Sequence, residues 1–143
     1  MNIIKVTNEQ EQKDAYFVRQ KVFVEEQNVS MEEEMDQFDD IATHLVGYED
    51  KLPVAASRLR FVEEYGKLER ICVLKEYRGH GYGKQMILHM EQEVKDQGYS
   101  KSKLNAQTQA LDFYKGLGYE IVSEEFMDAG IPHVTMVKSF IKI

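Results

Sequence analysis

Three strand-like segments follow one another between Thr43 and Leu74, and the turns that join them are too short to hold a helix. The segments are 43–48, 54–61 and 67–74, and Pro53 and Gly66 lie in the two turns. A crossover to a parallel strand needs a connection of about a dozen residues or more, so these strands should pair as an antiparallel meander. Any fold for this chain must be built around that meander.

The hydrophobic pattern changes after the meander. Residues 76–83 form a glycine-bearing loop, and the stretch 83–97 has apolar residues at helical spacing until Gly98 ends it. A strand at 101–106 and a short helix at 110–117 come next. The chain closes with strands at 119–126 and 134–141, which are joined by a turn at 128–132.

The first forty residues divide into three segments. Residues 3–6 predict a short edge strand, and 12–26 predict an amphipathic helix because most apolar positions recur every three or four residues. Residues 27–40 lack such a period and predict an irregular acidic loop. The whole order is β-α-βββ-α-β-α-ββ, an α+β fold in which helices sandwich a mixed β-sheet. The 143 residues fit one domain, with the strands on either side of the long helix as parallel neighbours through a right-handed crossover.

The chain is acidic, and its charge is unevenly distributed. The net charge of −7 argues against a nucleic-acid partner, because Lys and Arg supply most of the affinity for phosphates. No Lys or Arg occurs from Val22 to Asp50, whereas ten acidic residues do: Glu25, Glu26, Glu32, Glu33, Glu34, Asp36, Asp39, Asp40, Glu49 and Asp50. This stretch is either a solvated acidic loop or a rim that attracts a cationic substrate such as an amine.

The cysteine, histidine and apolar patterns argue against a disulfide, a metal site and a membrane span. Cys72 is the single cysteine, so no internal disulfide or thiolate metal cage can form, and the four scattered histidines lack ligand spacing. No apolar run approaches the roughly 20 residues of a membrane span, and the first residues do not resemble a signal peptide. We expect a cytoplasmic protein with no metal site and no membrane contact.

The segment Arg78-Gly79-His80-Gly81-Tyr82-Gly83 carries the strongest chemical signal. It joins a strand to a helix, and glycine lacks the Cβ that would keep a ligand away from the backbone N–H groups. Those N–H groups lie at the positive end of a helix dipole, which binds phosphate readily. Arg78 and Lys84 add local positive charge in an acidic chain. The segment therefore predicts a diphosphate cradle.

Two common phosphate-binding loops do not match this spacing. A dinucleotide-binding turn requires G-x-G-x-x-G within repeated βαβ units, and a P-loop requires G-x-x-x-x-G-K-[ST]. The chain has G-x-G-x-G after an antiparallel meander.

The segment instead resembles the R/Q-x-x-G-x-G/A signature of the GNAT acetyltransferases, which bind the pyrophosphate of acetyl-CoA. A second GNAT signature, N-x-x-A-x-x-x-Y-x-x-x-G-F/Y, is matched by Ala110, Tyr114 and Gly118-Tyr119, with Gln107 in place of the usual Asn. The segments 19–27 and 128–133 resemble the ElaA-like branch of these proteins. The resemblance covers nearly the whole chain and implies an acetyl-CoA-dependent N-acetyltransferase. Its acceptor would be a primary amine of a small molecule or peptide, which attacks the thioester directly in a ternary complex.

The resemblance also implies roles for individual residues. Tyr114 matches the general acid that protonates the departing CoA thiolate, since tyrosine, with an ordinary pKa of about 10, holds its proton at neutral pH. The implied cofactor-binding residues are Ile71, Cys72 and Val73 on a splayed strand, Arg78, Gly79, His80, Gly81, Tyr82, Gly83 and Lys84 in the loop, and Asn105, Ala106, Gln107 and Phe113 opposite. The acceptor pocket would involve residues 22–40, and a homodimer through the last strands would suit the fold.

The base that takes the amine proton is left open. Glu69, on the strand that leads to the cofactor, is the first candidate, and His44 and His133 are alternatives, although some acetyltransferases need no single base. Cys72 has no base beside it in the sequence, which disfavours a covalent acetyl-cysteine. Arg58 and Arg60 are expected to face the cleft and the solvent respectively.

Two other functions compete with this interpretation. One is a non-catalytic acyl-CoA-binding regulatory protein. The other is an enzyme that uses a longer acyl donor, because residues 19–23 resemble, over a short length, the acyl-homoserine-lactone synthases that share the fold.

Overall fold

The computed structural model describes residues 1–140, in which eight strands form one mixed sheet with helices on both faces. The strands are β1 (Asn2–Lys5), β2 (Thr43–Glu49), β3 (Leu52–Val62), β4 (Tyr65–Val73), β5 (Lys101–Gln107), β6 (Glu120–Ile121), β7 (Phe126–Asp128) and β8 (Ile131–Ser139). The helices are α1 (Glu9–Arg19), α2 (Met31–Glu34), α3 (Tyr82–Asp96) and α4 (Leu111–Gly116). A π-helical turn (Gln20–Glu26) continues α1, and 3-10 turns occupy Gln37–Asp40, Lys75–Tyr77 and Thr108–Ala110.

The predicted α+β fold is confirmed, including its antiparallel meander. The strand order is β1-β2-β3-β4-β5-β8-β6, and β7 pairs with β8. Strands β4 and β5 are parallel and are connected through α3, as expected for the crossover. The crossover places the start of α3 at the end of β4, where the glycine segment lies.

Each face of the sheet is covered by one long helix. Helix α1 and its π-helical turn pack Ala15, Val18 and Val22 against a small cluster on one face. On the other face, α3 buries Met86, Ile87, Met90 and Val94, the four residues that its helical spacing predicts. Burial of a side chain of this size stabilises a fold by about 1.5–3 kcal/mol, so α3 holds the sheet firmly.

The closing strands differ from the prediction for residues 119–141. The expected strand 119–126 is divided into β6 and β7, and Tyr119 is buried in the core instead of starting a strand. The turn is only Ala129-Gly130, both with positive φ, so β8 begins at Ile131 and not at Val134. Pro132 fits inside β8 because it lies one residue beyond the last β5–β8 pair, Gln107 with His133. Ile141, the predicted last residue of this strand, lies outside the described residues.

The acidic segment is only partly solvated: six of its ten acidic residues are exposed, but two are buried. Glu34 and Asp39 are 1% and 7% exposed and contact arginines. We name the whole set of ion pairs the arginine–carboxylate network; its carboxylates are Glu34, Asp36, Asp39 and Glu69, and its cations are Arg19, Arg58, Arg60, Lys67 and Arg70. The network ties α2 and the following 3-10 turn to strands β3 and β4.

Two carboxylates of the network are strongly perturbed. Burial alone would raise the pKa of Asp39, but hydrogen bonds and charge from Arg19 and Arg58 outweigh it and hold the pKa at about 2. Burial would likewise raise the pKa of Glu69, but Arg60, Arg58 and Lys67 outweigh it and hold the pKa at about 2. Both groups therefore stay ionised in the folded protein throughout the ordinary pH range.

These lowered pKa values predict a fold that loses stability in acid. Each carboxylate contributes stability that is complete above its unfolded pKa, near 4, and is lost as the pH falls toward 2. For Glu69 the loss is on the order of 3 kcal/mol across this window. Urea unfolding between pH 5 and 2.5 should show a shallower pH dependence of the unfolding free energy for Glu69→Gln than for the wild type. Glu120→Gln, which removes an exposed carboxylate outside the network, should keep the wild-type slope; an unchanged slope in Glu69→Gln would contradict this account.

Candidate active site

Strands β4 and β5 pair over three residues and then separate. The pairs are Gly66 with Ser102, Lys67 with Lys103 and Leu68 with Leu104. Beyond them β5 continues along β8 to Gln107, while β4 continues along β3 to Val73. A wedge therefore opens between the two strands, as the splayed-strand expectation requires.

A β-bulge bends β4 where the separation begins. Ala56 faces Cys72 and Arg58 faces Glu69, so Arg70 and Ile71 together oppose only Ser57. Arg70 has φ +55°, a left-handed conformation that is uncommon for a residue other than glycine. Its guanidinium is held by Glu34 Oε2 at 2.9 Å and by two backbone carbonyls of α2, which fixes the bulge in place.

The wedge opens into a cleft of about 820 Å³. Every predicted site residue lines this cleft except His80, Ala106 and the alternative base His44. His80 is exposed beside the ring of Tyr82, and Ala106 is buried in the core. The cleft thus brings together the glycine segment, the end of β4, the end of β5 and helix α4.

The glycine segment has the backbone geometry that an anion cradle requires. Gly79 and Gly81 have φ of +85° and +78°, and a Cβ built on either would meet nothing within 4 Å, so the space in front of them is open. Gly81 is the N-cap of α3 without a side-chain cap, and the first helical bond runs from Gln85 N–H to Gly81 C=O at 3.0 Å. The preceding N–H groups of the helix therefore remain available to an anion.

The side chains of the glycine segment point to different partners. Arg78 donates to both carboxylate oxygens of Glu26 at 2.6 Å and to Val73 C=O at 3.0 Å. The hydroxyl of Tyr82 bonds to Glu49, so only the backbone of Tyr82 serves the cradle. Lys84 is exposed at the mouth of the cleft. The guanidinium of Arg78, which the sequence analysis assigns to the diphosphate, is therefore bound to Glu26 in this structure.

Tyr114 and Phe113 lie together on α4 at the cleft. Their rings meet edge to face with centroids 5.1 Å apart, and Phe113 lies 3.7 Å from the Cβ position of Gly83. Burial raises the pKa of Tyr114 to about 12. Its phenol therefore keeps its proton at neutral pH and is available as a proton donor.

Glu69 lines the cleft but is a poor proton acceptor. Arg60, Arg58 and Lys67 contact its carboxylate at 2.7, 2.9 and 3.1 Å. A carboxyl group with a pKa of about 2 has little tendency to take a proton from an amine. The geometry therefore argues against the first candidate base. Arg58 and Arg60 both face Glu69, so the expectation that they face opposite sides of β3 is wrong; residues two apart on a strand share a face.

The two candidate histidines lie in different surroundings. His44 is buried away from the cleft, where its Nε2 lies 2.8 Å from Asp39 C=O, and burial lowers its pKa. His133 lines the cleft, and its Nδ1 lies 2.6 Å from Ile131 C=O. A carbonyl oxygen only accepts, so Nδ1 carries the hydrogen, and in the neutral ring Nε2 holds the lone pair. Of these two imidazoles, His133 is therefore the one placed to accept a proton in the cleft.

The remaining predicted residues have defined partners. Asn105 accepts from the Thr135 hydroxyl at 2.8 Å, and Gln107 bonds to Gln27 and Gln109. The amide of Gln107 therefore donates a hydrogen bond to Gln27, and both residues line the cleft. Burial raises the pKa of Cys72 to about 12, so its thiol stays protonated and is a poor nucleophile.

Within residues 1–140, no group of three or more His, Cys, Asp or Glu side chains is placed to hold a metal ion. Across the same residues, no helix has the length and apolar character needed to cross a membrane.

The model of the acetyltransferase (GNAT) domain family matches residues 5–140. The chain belongs to the GNAT acetyltransferase family. The Bacillus subtilis (strain 168) protein named as the uncharacterized N-acetyltransferase YjcF is 50% identical over 139 residues, which are 96% of this chain and 99% of that protein. The predicted GNAT membership and the enzyme class are thereby confirmed.

Solved GNAT structures have the same fold. A crystal structure from Lactobacillus plantarum, provisionally named an N-acetyltransferase, has a TM-score of 0.91 and 31% identity, and the match covers 98% of both chains. Escherichia coli ElaA has a TM-score of 0.84 at 23% identity, covering 96% of this chain and 99% of that one. The predicted likeness to ElaA is confirmed at the level of the fold.

Several GNAT cleft residues were not identified from the sequence. They are Lys67, Arg70 and Asp128, whereas Phe23, Gln27, Asp36 and Phe38 fall within the expected acceptor segment 22–40. The sequence does contain a pattern that indicates ion pairs for the charged cleft residues. The acidic stretch 22–50, which has no Lys or Arg, is followed by four cations on β3 and β4: Arg58, Arg60, Lys67 and Arg70. Arg58 and Arg70 pair with carboxylates of that stretch, whereas Arg60 and Lys67 pair with Glu69.

Proposed function

We propose that this GNAT protein is an acetyl-CoA-dependent N-acetyltransferase that transfers an acetyl group to a primary amine by direct attack in a ternary complex. The observation that carries the proposal is the meeting of three features in one cleft. They are the uncapped start of α3 at Gly81, the gap between β4 and β5, and the protonated phenol of Tyr114.

The residues present fit acetyl-CoA. The open space before Gly79 and Gly81 and the free N–H groups at the start of α3 suit its diphosphate. The unpaired edges of β4 and β5 beyond Leu68 and Leu104 offer backbone partners to an extended amide-bearing arm. When bound, acetyl-CoA supplies an acetyl group activated as a thioester.

The remaining chemistry falls to two side chains of the chain itself. His133 Nε2 accepts the proton that the amine loses as its nitrogen bonds to the acetyl carbon. Tyr114 donates its proton to the sulfur as the carbon–sulfur bond breaks. Both side chains line the same cleft.

Replacement of Tyr114 by Phe tests the proposed function most directly. The ring packing is kept while the proton donor is removed, so kcat in a thiol-release assay with acetyl-CoA and primary amines should fall by about 10²- to 10⁴-fold. The dissociation constant for acetyl-CoA, measured by calorimetry, should change by less than about twofold. Tyr99→Phe, a tyrosine that packs on Phe61 outside the cleft, is the matched control and should keep the wild-type rate. A wild type that binds acetyl-CoA but transfers to no amine would support the non-catalytic alternative.

Replacement of His133 by Gln tests the proposed base. The rate constant kcat/KM should fall by about 10²-fold or more, and its rise with pH, which reports loss of a proton from the base, should flatten. His89→Gln, an exposed histidine of α3 outside the cleft, should leave the profile intact. A Glu69→Gln enzyme that loses this pH dependence while His133→Gln keeps it would reverse the assignment.

The ion pair of Arg78 with Glu26 predicts competition with the diphosphate. Glu26→Gln removes the competing charge from the guanidinium, so CoA should bind about two- to fivefold more tightly, the range expected for one exposed ion pair. Glu25→Gln, which instead removes the partner of Lys21, should leave the affinity unchanged. Unchanged or weaker CoA binding by Glu26→Gln would mean that Arg78 only braces the loop.

The expected cellular location and oligomeric state stay predictions. We place the enzyme in the cytoplasm, which suits a single buried and free thiol at Cys72. A homodimer through the last strands also stays a prediction.

A further inference from the structure

A small side pocket of about 80 Å³ adjoins the cleft on the side of α2 and β8. Seven residues line both spaces, so the two cavities meet along them: Phe23, Gln27, Glu33, Arg70, Gln107, Asp128 and His133. A ligand that reaches His133 in the main cleft therefore lies next to the side pocket.

The side pocket is lined by more negative than positive charge. Its carboxylates are those of Glu33, Glu34 and Asp128, and its cation is Arg70. The Arg70 guanidinium is already engaged by Glu34 Oε2, by Asp36 Oδ2 and by the backbone carbonyls of α2. Glu34 and Arg70 largely neutralise each other. The exposed carboxylates of Glu33 and Asp128 therefore give the side pocket its excess of negative charge, which favours a cationic ligand.

Glu34 provides a second and independent indication of a ligand. Its side chain is 1% exposed, and its Oε2 accepts from Arg19 and Arg70. Among the described residues its Oε1 has no hydrogen-bond partner, although it is buried. An unpaired buried carboxylate oxygen is costly, so a donor from a bound molecule would relieve it.

The uncharged walls of the side pocket suit methylene groups. Phe23, Val29 and Ile131 supply apolar surface next to the carboxylates. This combination is complementary to an alkylammonium, which has an apolar stem and a head with three N–H donors.

We propose that the acceptor of this enzyme is a small diamine whose second, charged ammonium lies in the side pocket near Glu34. This inference rests on the proposed N-acetyltransferase function. The carboxylates of the side pocket favour a protonated amine, whereas the reacting amine must be neutral, so the two nitrogens occupy different places. One neutral nitrogen bonds to the acetyl carbon, its proton passes to His133, and the sulfur takes a proton from Tyr114. The second ammonium keeps its proton, and the product is a mono-acetylated diamine.

Comparison of acceptors of equal chain length tests this proposal. The substrates are 1,4-diaminobutane, butylamine and 4-aminobutyrate, assayed by thiol release from acetyl-CoA with the whole protein. One charge-assisted contact should favour the diamine over butylamine in kcat/KM by about tenfold or more. The aminobutyrate should be the poorest, because its carboxylate meets Glu33, Glu34 and Asp128. Equal kcat/KM for the diamine and butylamine would overturn the proposal and leave the N-acetyltransferase function intact.

Paired substitutions locate the preference in the side pocket. Glu33→Gln with Asp128→Asn should reduce the preference for diamine over butylamine to about threefold or less; both residues are exposed, so the fold should tolerate the changes. Glu32→Gln with Glu125→Gln removes two exposed carboxylates that line neither space and should keep the full preference. Loss of the preference in both double variants would point to overall charge and overturn the pocket.

A binding experiment separates failure of the pocket from failure of catalysis. If no amine is acetylated, 1,4-diaminobutane is titrated calorimetrically into the CoA-loaded protein. Binding by the wild type that weakens about tenfold in Glu33→Gln/Asp128→Asn supports the side pocket although the proposed function has failed. No binding by the wild type overturns both.

Discussion

β4 and β5 share three residue pairs and then separate. The cleft of the candidate active site depends on that separation. A pair of neighbouring strands in a sheet normally satisfies the backbone of both partners. Here the ends of β4 and β5 keep their outer partners, β3 and β8, and leave the edges that face each other unpaired. Without the gap, the glycine turn at the start of α3 would bind an anion at the surface and have no cleft behind it.

The bulge in β4 is held in place by charged groups, and Arg70 and Asp36 among them line the cleft. The bulge at Arg70 bends β4 away from β5, and Arg70 is held by α2 through Glu34. Glu34 is held in turn by Arg19 of α1, which is fully buried. Buried ion pairs often add little net stability, but removing one partner leaves an uncompensated charge. The arginine–carboxylate network therefore fixes the position of α2 over the sheet, and Glu33 of α2 lines the cleft.

The features that follow from local pattern were predictable from the sequence. The meander follows from short turns, α3 from the spacing of Met86, Ile87, Met90 and Val94, and the cradle from glycines at a strand-to-helix junction. The network was not predictable in the same way. A run of acidic residues has the same sequence pattern whether it is solvated or buried. In addition, Arg19, Arg58 and Arg70 lie 11 to 36 residues from their partner carboxylates.

Backbone conformation was the other feature that the sequence concealed. Nothing in the type of residue indicates that Arg70 adopts a positive φ, because arginine does so only where its surroundings impose it. The two-residue turn at Ala129-Gly130 was also hidden, since Pro132 indicated a longer loop. The proposed base depends on contacts in space: three cations lower the pKa of Glu69, and one backbone carbonyl sets the tautomer of His133.

Calorimetric titration with CoA and with pantetheine tests the central claim, that the start of α3 holds the diphosphate while the gap between β4 and β5 holds the arm. Both ligands carry the arm, but only CoA carries the diphosphate. The account predicts that CoA binds about a hundredfold more tightly than pantetheine, as two charge-assisted hydrogen bonds would provide. Equal affinities would contradict the cradle, and a folded protein that binds neither ligand would contradict the cleft as an acyl-donor site.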